Sequence, residues 1–479
     1  MIAHAPEMAM DGANARCIDP AWASADAFRR SLTVTTFRCT PRESAENPAF
    51  PRKADKTRSA SIRHMETKRV CIVGGGVIGL CSAYYALKRG CQVTVLQRED
   101  EGGDNCSMGN AGMVVPSHFI PLAAPGMIAK GLRWMMNPES PFFVRPRIDP
   151  ALARWGWIFH RHSTPAHVAN SRELLRDLSL ESRRLFGELE AEESFGLAQR
   201  GLLMLCNTRK GLDEEAETAH AAHEIGLQAE VLDAKQSAAL DPEITMDITG
   251  SVYFPQDCHL DPSRFMESMK RRVKDLGATI ETGVSIDRID TRGGKVVSVS
   301  GGGRKFEADE FVIACGSWTA KLLKTAGVNL PLQAGKGYSL TLPNPPELPR
   351  LCSIFVEAKV AITPMGGKLR FGGTMEVGGL DLSVHQRRVH GIVKSVNSYF
   401  PKFSERDFDG VEPWAGLRPV SPDGIPYVGK LKALPNLTAA TGHAMMGLSL
   451  GPVTGRLVAD LITGDEPFRP IGQMAVERF

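Results

Sequence analysis

The chain has 479 residues, 43% of them hydrophobic, with 57 Lys and Arg against 54 Asp and Glu. These are the proportions of a globular protein of two or three domains, and so even a charge balance leaves no electrostatic footprint for nucleic acid. No apolar run approaches the roughly 18 residues of a membrane-spanning helix, and the ten cysteines form no C-x-x-C pair, which argues for a reducing compartment and against an iron–sulfur cluster or zinc ribbon.

Residues 1 to about 64 are rich in Ala, Arg, Ser and Pro and show no sustained periodicity. They read as a disordered or non-native extension, with Met65 as the expected natural start, because "METKRVCIVGGG" enters a strand almost at once. Val70–Val73 is apolar and partly β-branched, the pattern of a buried parallel strand. It runs into Gly74-x-Gly76-x-x-Gly79 and a helix to about Lys88, closed by Gly90, before "CQVTVLQRE" supplies a second strand. That β-α-β unit suits a dinucleotide: Gly74 makes the tight turn, Gly76 lets the backbone approach a pyrophosphate, and Gly79 packs helix on strand. The free N–H groups at the helix start, including those of Val77 and Ile78, favour the diphosphate. One position departs from the fingerprint. The acid that holds the ribose is replaced by Gln97, with Arg98 and Glu99 following. An NAD-dependent dehydrogenase is the competing reading of this turn taken alone, and Gln97 counts against it.

Further along, Asp261-Pro262 reads as N-cap and first residue of a helix whose Phe265, Met269, Val273 and Leu276 share a face, closed by Gly277. "ATIETG", "VSIDRID", "KVVSVS" and "KFEADEFVIACG" then read as short strands of an antiparallel meander. His220 and His223 have a spacing that suits a metal, but the Glu and Ala around them read as a solvated helix face, so no metal site is expected.

Four stretches together resemble the superfamily of FAD-dependent D-amino acid oxidases and dehydrogenases, from about Lys68 to Asp465. They are "NCSMGNAGMVVPSHFIPLAAPGM", "FVIACGSWT", "WAGLRPVSPDGIPYVG" and "TGHAMMGLSLGPVTGRLVADLI". The resemblance implies an α/β fold: a discontinuous Rossmann-like FAD domain of the glutathione reductase type (66–115, 251–330 and 412–479) and an α+β substrate domain on an antiparallel sheet (116–250 and 331–411). It places Ser107, Asn110, Ala111, Gly112 and Met113 of the first stretch and Cys315, Gly316 and Trp318 of the second beside FAD. Gly442, His443, Met446, Gly447, Leu448 and Ser449 of the last should face the flavin, where a Gly-rich helix entry stabilises charge developing on reduction.

The implied reaction is hydride removal from the α-carbon of an amino acid to flavin N5, giving an imino acid that water hydrolyses. Such chemistry needs a cation for the substrate carboxylate, and Arg418 in "GLRP" is the first candidate. A salt bridge to Asp423 is its competing use. Tyr338 matches a family position near the substrate, a core aromatic being the alternative, and His118 falls on the loop expected at the active-site mouth. Met445 stands where glycine oxidases often carry Arg, which disfavours glycine as substrate. Gly416 stands where sarcosine oxidases carry the flavin-linked Cys, so FAD is expected to be non-covalent.

"NPESPFFVRPR" and "HFIPLAAPGM" look most like dehydrogenases of D-amino acids, including those acting on cis-4-hydroxy-D-proline. The alternatives are an amine or sarcosine-type oxidase, or the FAD-binding subunit of a heteromeric dehydrogenase. The expected partners are a small D-amino or imino acid and an electron acceptor, whether quinone, respiratory chain or oxygen. A cytoplasmic location follows, with peripheral association at the inner face of the membrane or a partner subunit as further options.

Overall fold

The computed structural model describes residues 67–100, 105–135, 137 and 139–479. The expectations about residues 1–65 therefore concern positions outside the described residues.

One of the two main sheets has six strands in the order Tyr427–Lys430, Leu437–Thr441, Glu310–Ile313, Arg69–Val73, Gln92–Leu96 and Thr279–Glu281. Arg69–Val73 lies at its centre, with Ile72 paired in parallel to Val312 on one side and Val95 on the other. Both faces of this strand are covered, which explains its unbroken apolar run from Val70 to Val73. Only the Tyr427–Lys430 edge is antiparallel. Four separated parts of the chain thus build one sheet.

Two expected meander strands belong here instead. Thr279–Glu281 pairs in parallel with Gln92–Leu96, and "KFEADEFVIACG" is split into Arg304–Phe306 and Glu310–Ile313. The break has a physical cause: the Asp309 carboxylate accepts from the backbone N–H and the guanidinium of Arg69, pulling the chain from the meander to the sheet. Arg288–Arg292, Lys295–Gly301 and Arg304–Phe306 remain as the three-stranded meander.

The second main sheet has nine strands and is mixed, running from Trp414–Val420 through Gln333–Leu342 and Lys368–Val377 to Glu230–Asp233. Trp414–Val420 pairs antiparallel with Gln333–Leu342, placing Gly337 opposite Gly416 and Gly335 opposite Arg418. The helix Pro262–Asp275 begins as expected, with the Asp261 side chain accepting from Ser263 and Arg264 N–H, and it buries Phe265, Met269 and Val273. Leu276 instead sits at the helix cap and is exposed.

The helices Val77–Lys88 and Gly451–Thr463 meet through small residues. A Cβ added at Gly455 would lie 2.4 Å from the Cys81 carbonyl carbon, and one at Gly451 2.7 Å from Val77. The start and end of the fold share this contact within one core that also takes in the 28-residue helix Pro165–Glu192.

Candidate cofactor and substrate site

The turn after the first strand is built as its glycines require. Gly74 has φ +119° and an added Cβ would meet Ala314 O at 2.4 Å, while one on Gly79 would strike Gly74 O at 1.8 Å. Gly79 therefore packs helix on turn. The helix Val77–Lys88 has no side-chain cap from Gly76; instead Ser107 Oγ accepts from Val77 N–H at 3.0 Å. This ties the "NCSMGN" loop to the helix start.

These elements open into an elongated cavity of about 510 Å³. Toward one end it is lined by Gly74, Gly75, Gly76, Val77 and Ile78, with Arg98, Glu99, Cys315, Gly316 and Trp318. The Arg98 guanidinium lies 4.3 Å above the Trp318 ring and pairs with Glu99. Ser107 and Asn110 line its side, and Trp414 to Pro419, His443, Gly447 and Leu448 line the rest.

Gln97 lies behind the turn. It is 1% exposed and both polar atoms of its amide lack a partner, while a Cβ on Gly75 would come within 2.4 Å of its Oε1. An orphaned amide at the end of the second strand, beside a bare glycine cradle, fits the hydroxyl-rich end of a dinucleotide.

Arg418 projects into the same cavity. Its guanidinium lies flat on Gly337, where an added Cβ would be 2.1 Å from both terminal nitrogens, and it donates to Thr374 O at 2.6 Å. Burial lowers its pKa, opposed only by Cys106. No carboxylate among the described residues pairs with it, and Asp423 is held by Arg478 at 2.8 and 2.9 Å. A buried guanidinium with unspent donors is a receptor for a carboxylate. His443 is held neutral by burial, which lowers its pKa to about 3. Its Nε2 meets Thr454 Oγ1 at 3.0 Å and its Nδ1 has no partner.

Other expected site residues lie outside the cavity walls. Gly112, with φ +78°, hydrogen-bonds Leu260 N–H through its carbonyl; Met113 pairs with His259, and Ala111 packs toward Gly372. Gly442 turns at φ +80° against the Tyr427 ring, Met446 packs on the core, and Ser449 Oγ accepts from Val115 N–H. Strand alternation separates Tyr338 from its neighbour Gly337: the tyrosine is fully buried, with its hydroxyl donating to Glu376 at 3.1 Å. His118 is paired with Ser117 Oγ at 3.1 Å, and burial holds its pKa near 4. His220 and His223 go to separate partners, Glu224 and Ala229 O, and no metal-holding group occurs among the described residues.

The cavity also includes residues that motif reading passed over. Trp414 and Gly416 were inside the quoted "WAGLRP" stretch, and alternation along a strand was the available signal. Val284, Ser285, Ile286 and Leu382 carry no sequence signature.

A parallel sheet ending in a glycine turn, a long cavity and a buried free guanidinium together define a dinucleotide-dependent oxidoreductase. The sequence matches the family described as FAD dependent oxidoreductase (DAO) over residues 69–461. The chain belongs to that family, and it is an FAD-dependent oxidoreductase. It is 34% identical over 418 residues to the D-amino acid dehydrogenase of Granulibacter bethesdensis, covering 86% of this chain and 99% of that one. To the D-amino acid dehydrogenase of Methylobacterium nodulans it is 36% identical over 409 residues, covering 83% and 96%. Among solved structures, glycine oxidase from Geobacillus kaustophilus aligns with TM-score 0.68 at 24% identity, over 86% of this chain and 100% of that one. L-proline dehydrogenase from P. horikoshii aligns with TM-score 0.66 at 16% identity, over 86% and 98%. These two likenesses concern the fold.

Proposed function

We propose that the chain is a dehydrogenase of D-amino acids or cyclic imino acids such as cis-4-hydroxy-D-proline, with a non-covalent FAD in the 510 Å³ cavity. The observation that carries this reading is Arg418, a buried guanidinium whose only hydrogen bond is to Thr374 O. The relatives' names support the D configuration and an acceptor other than oxygen.

When bound, FAD supplies the two-electron acceptor; the protein supplies position and field. The Gly74–Gly76 turn and the open N–H groups of Val77 and Ile78 would hold the diphosphate, and Gln97 the ribose. Arg418 would grip the substrate carboxylate through its planar fork, fixing the α-carbon against the cavity wall. Neutral His443, with Nδ1 unpartnered, adds a hydrogen-bonding group without adding charge. Gly416 offers no side chain for a covalent flavin link.

Anaerobic mixing of the purified yellow protein with D- and L-amino acids and proline derivatives tests this. Bleaching is expected with D-enantiomers and not with L. A colourless protein, or bleaching by neither series, overturns the reading.

A further inference from the structure

We infer that residues 120–135 and 139–162 form a docking surface for an anionic lipid bilayer. The helix Pro150–His162 carries Leu152, Trp155, Trp157, Ile158 and Phe159 yet has no buried residue. Of these, Trp155 is anchored, its indole N–H donating to Val420 O at 2.9 Å, and Trp157 is 62% exposed. The preceding helix, Met127–Met135, buries only Gly131. It turns Ile128 and Leu132, one helical turn apart, to solvent, with Leu132 62% exposed. Between the helices Ile148 is fully exposed, and Ile120 is exposed just ahead of them. Isolated exposed apolar residues need no explanation, but five along one stretch of about 40 residues do.

Charge identifies the occupant. This stretch holds six Lys and Arg (Lys130, Arg133, Arg145, Arg147, Arg154 and Arg161) against Glu139 and Asp149, whereas the whole chain stands at 57 against 54. Arg133, Arg154 and Arg161 have no ion-pair partner among the described residues. Lys130 and Arg145 make only exposed pairs, with Glu214 and Asp381. Apolar side chains with Trp at the boundary and a surplus of cations are the two signals that together hold a protein on a negatively charged lipid surface, where either alone is marginal. A second copy seated on the same face by two-fold symmetry would bring cations against cations. No helix among the described residues is long and apolar enough to cross a membrane, so the surface lies on the bilayer. The inference does not depend on the amino-acid reading, because its test needs no turnover.

The full-length holoprotein is sedimented with vesicles of phosphatidylglycerol and phosphatidylcholine in equal parts, and with phosphatidylcholine alone. Binding is expected to the first, weakly or not at all to the second, and to fall as salt rises above ~0.15 M. Leu132→Glu with Trp157→Glu, and separately Arg133→Glu with Arg154→Glu, should each lower the vesicle-bound fraction about tenfold or more while turnover with a soluble dye acceptor stays unchanged. The charge-reversal pair sits at exposed positions and keeps the test valid should the first pair disturb folding. Failure of the unsubstituted chain to sediment with anionic vesicles overturns the proposal. So does equal binding by both variants, or a monomer–dimer equilibrium abolished by the same substitutions, which would assign the surface to a second copy.

Discussion

Gly337→Ala is the sharpest probe of the carboxylate receptor, because it acts on Arg418 without replacing it. The added Cβ would sit 2.1 Å from both terminal nitrogens, and ordinary contact begins near 3.4 Å, so the guanidinium must retreat by about 1.3 Å. It can do so: the atoms displaced are the far end of a flexible side chain, with a single hydrogen bond to Thr374 O to give up. The strand register to Gly416 and the glycine turn remain intact, so FAD content and melting temperature should be close to those of the unsubstituted chain. The substrate carboxylate loses its fork, however. Hydrogen bonds to a charged group contribute about 1.5–3 kcal/mol each, so kcat/KM should fall roughly 10- to 150-fold for every amino acid substrate. Steady-state turnover with a soluble dye acceptor reads this, with flavin absorbance reporting cofactor content in the same sample. A Gly337→Ala enzyme that is fully loaded and within about twofold of the original kcat/KM would show that Arg418 does not receive the carboxylate.

Gln97→Leu should weaken FAD binding by about 5- to 20-fold while leaving the melting temperature of the apoprotein unchanged or higher, since the amide has no protein partner to lose; titration of apoprotein with FAD measures it. Tyr338→Phe should leave KM for the amino acid unaltered and lower stability by about 1 kcal/mol, because the hydroxyl is bonded to Glu376; steady-state kinetics with urea unfolding distinguishes this from a substrate contact. Asp257 is fully buried, and burial raises its pKa from 3.8 to about 7 against two hydrogen bonds from Ser117. The folded chain therefore binds the extra proton between those values, so the stability it contributes is present at low pH and lost as pH rises through about 7. Asp257→Asn should accordingly gain stability relative to the unsubstituted chain between pH 6 and 8, by an amount of order 1 kcal/mol per pH unit; a difference that does not change with pH in urea titrations would refute the assignment.

The nucleotide end of the site is legible in the sequence because it depends on backbone rules. A glycine with φ +119° and another 1.8 Å from a carbonyl admit no substitute, so spacing alone reveals them. Gln97 was found for the same reason, as the residue at the end of the second strand. The walls further along depend on register across the nine-stranded sheet, which local sequence does not encode. Tyr338 and Gly337 are neighbours in sequence but face opposite sides, and only pairing with Trp414–Val420 decides which one lies under Arg418. Leu382 and Val284–Ile286 come to the cavity from loops without motifs. The meander was misread at both ends because an apolar run does not announce whether its partner is parallel or antiparallel; the Arg69–Asp309 contact settles that only in three dimensions.

The close seating of Val77–Lys88 on Gly451–Thr463, with Gly455 against the carbonyl carbon of Cys81, has a consequence for biogenesis. The ribosome releases the glycine turn hundreds of residues before the helix that braces it, so a nascent chain holds half a socket for most of its synthesis. Flavin insertion must await the last stretch of polypeptide, and chains truncated before residue 450 should accumulate without colour.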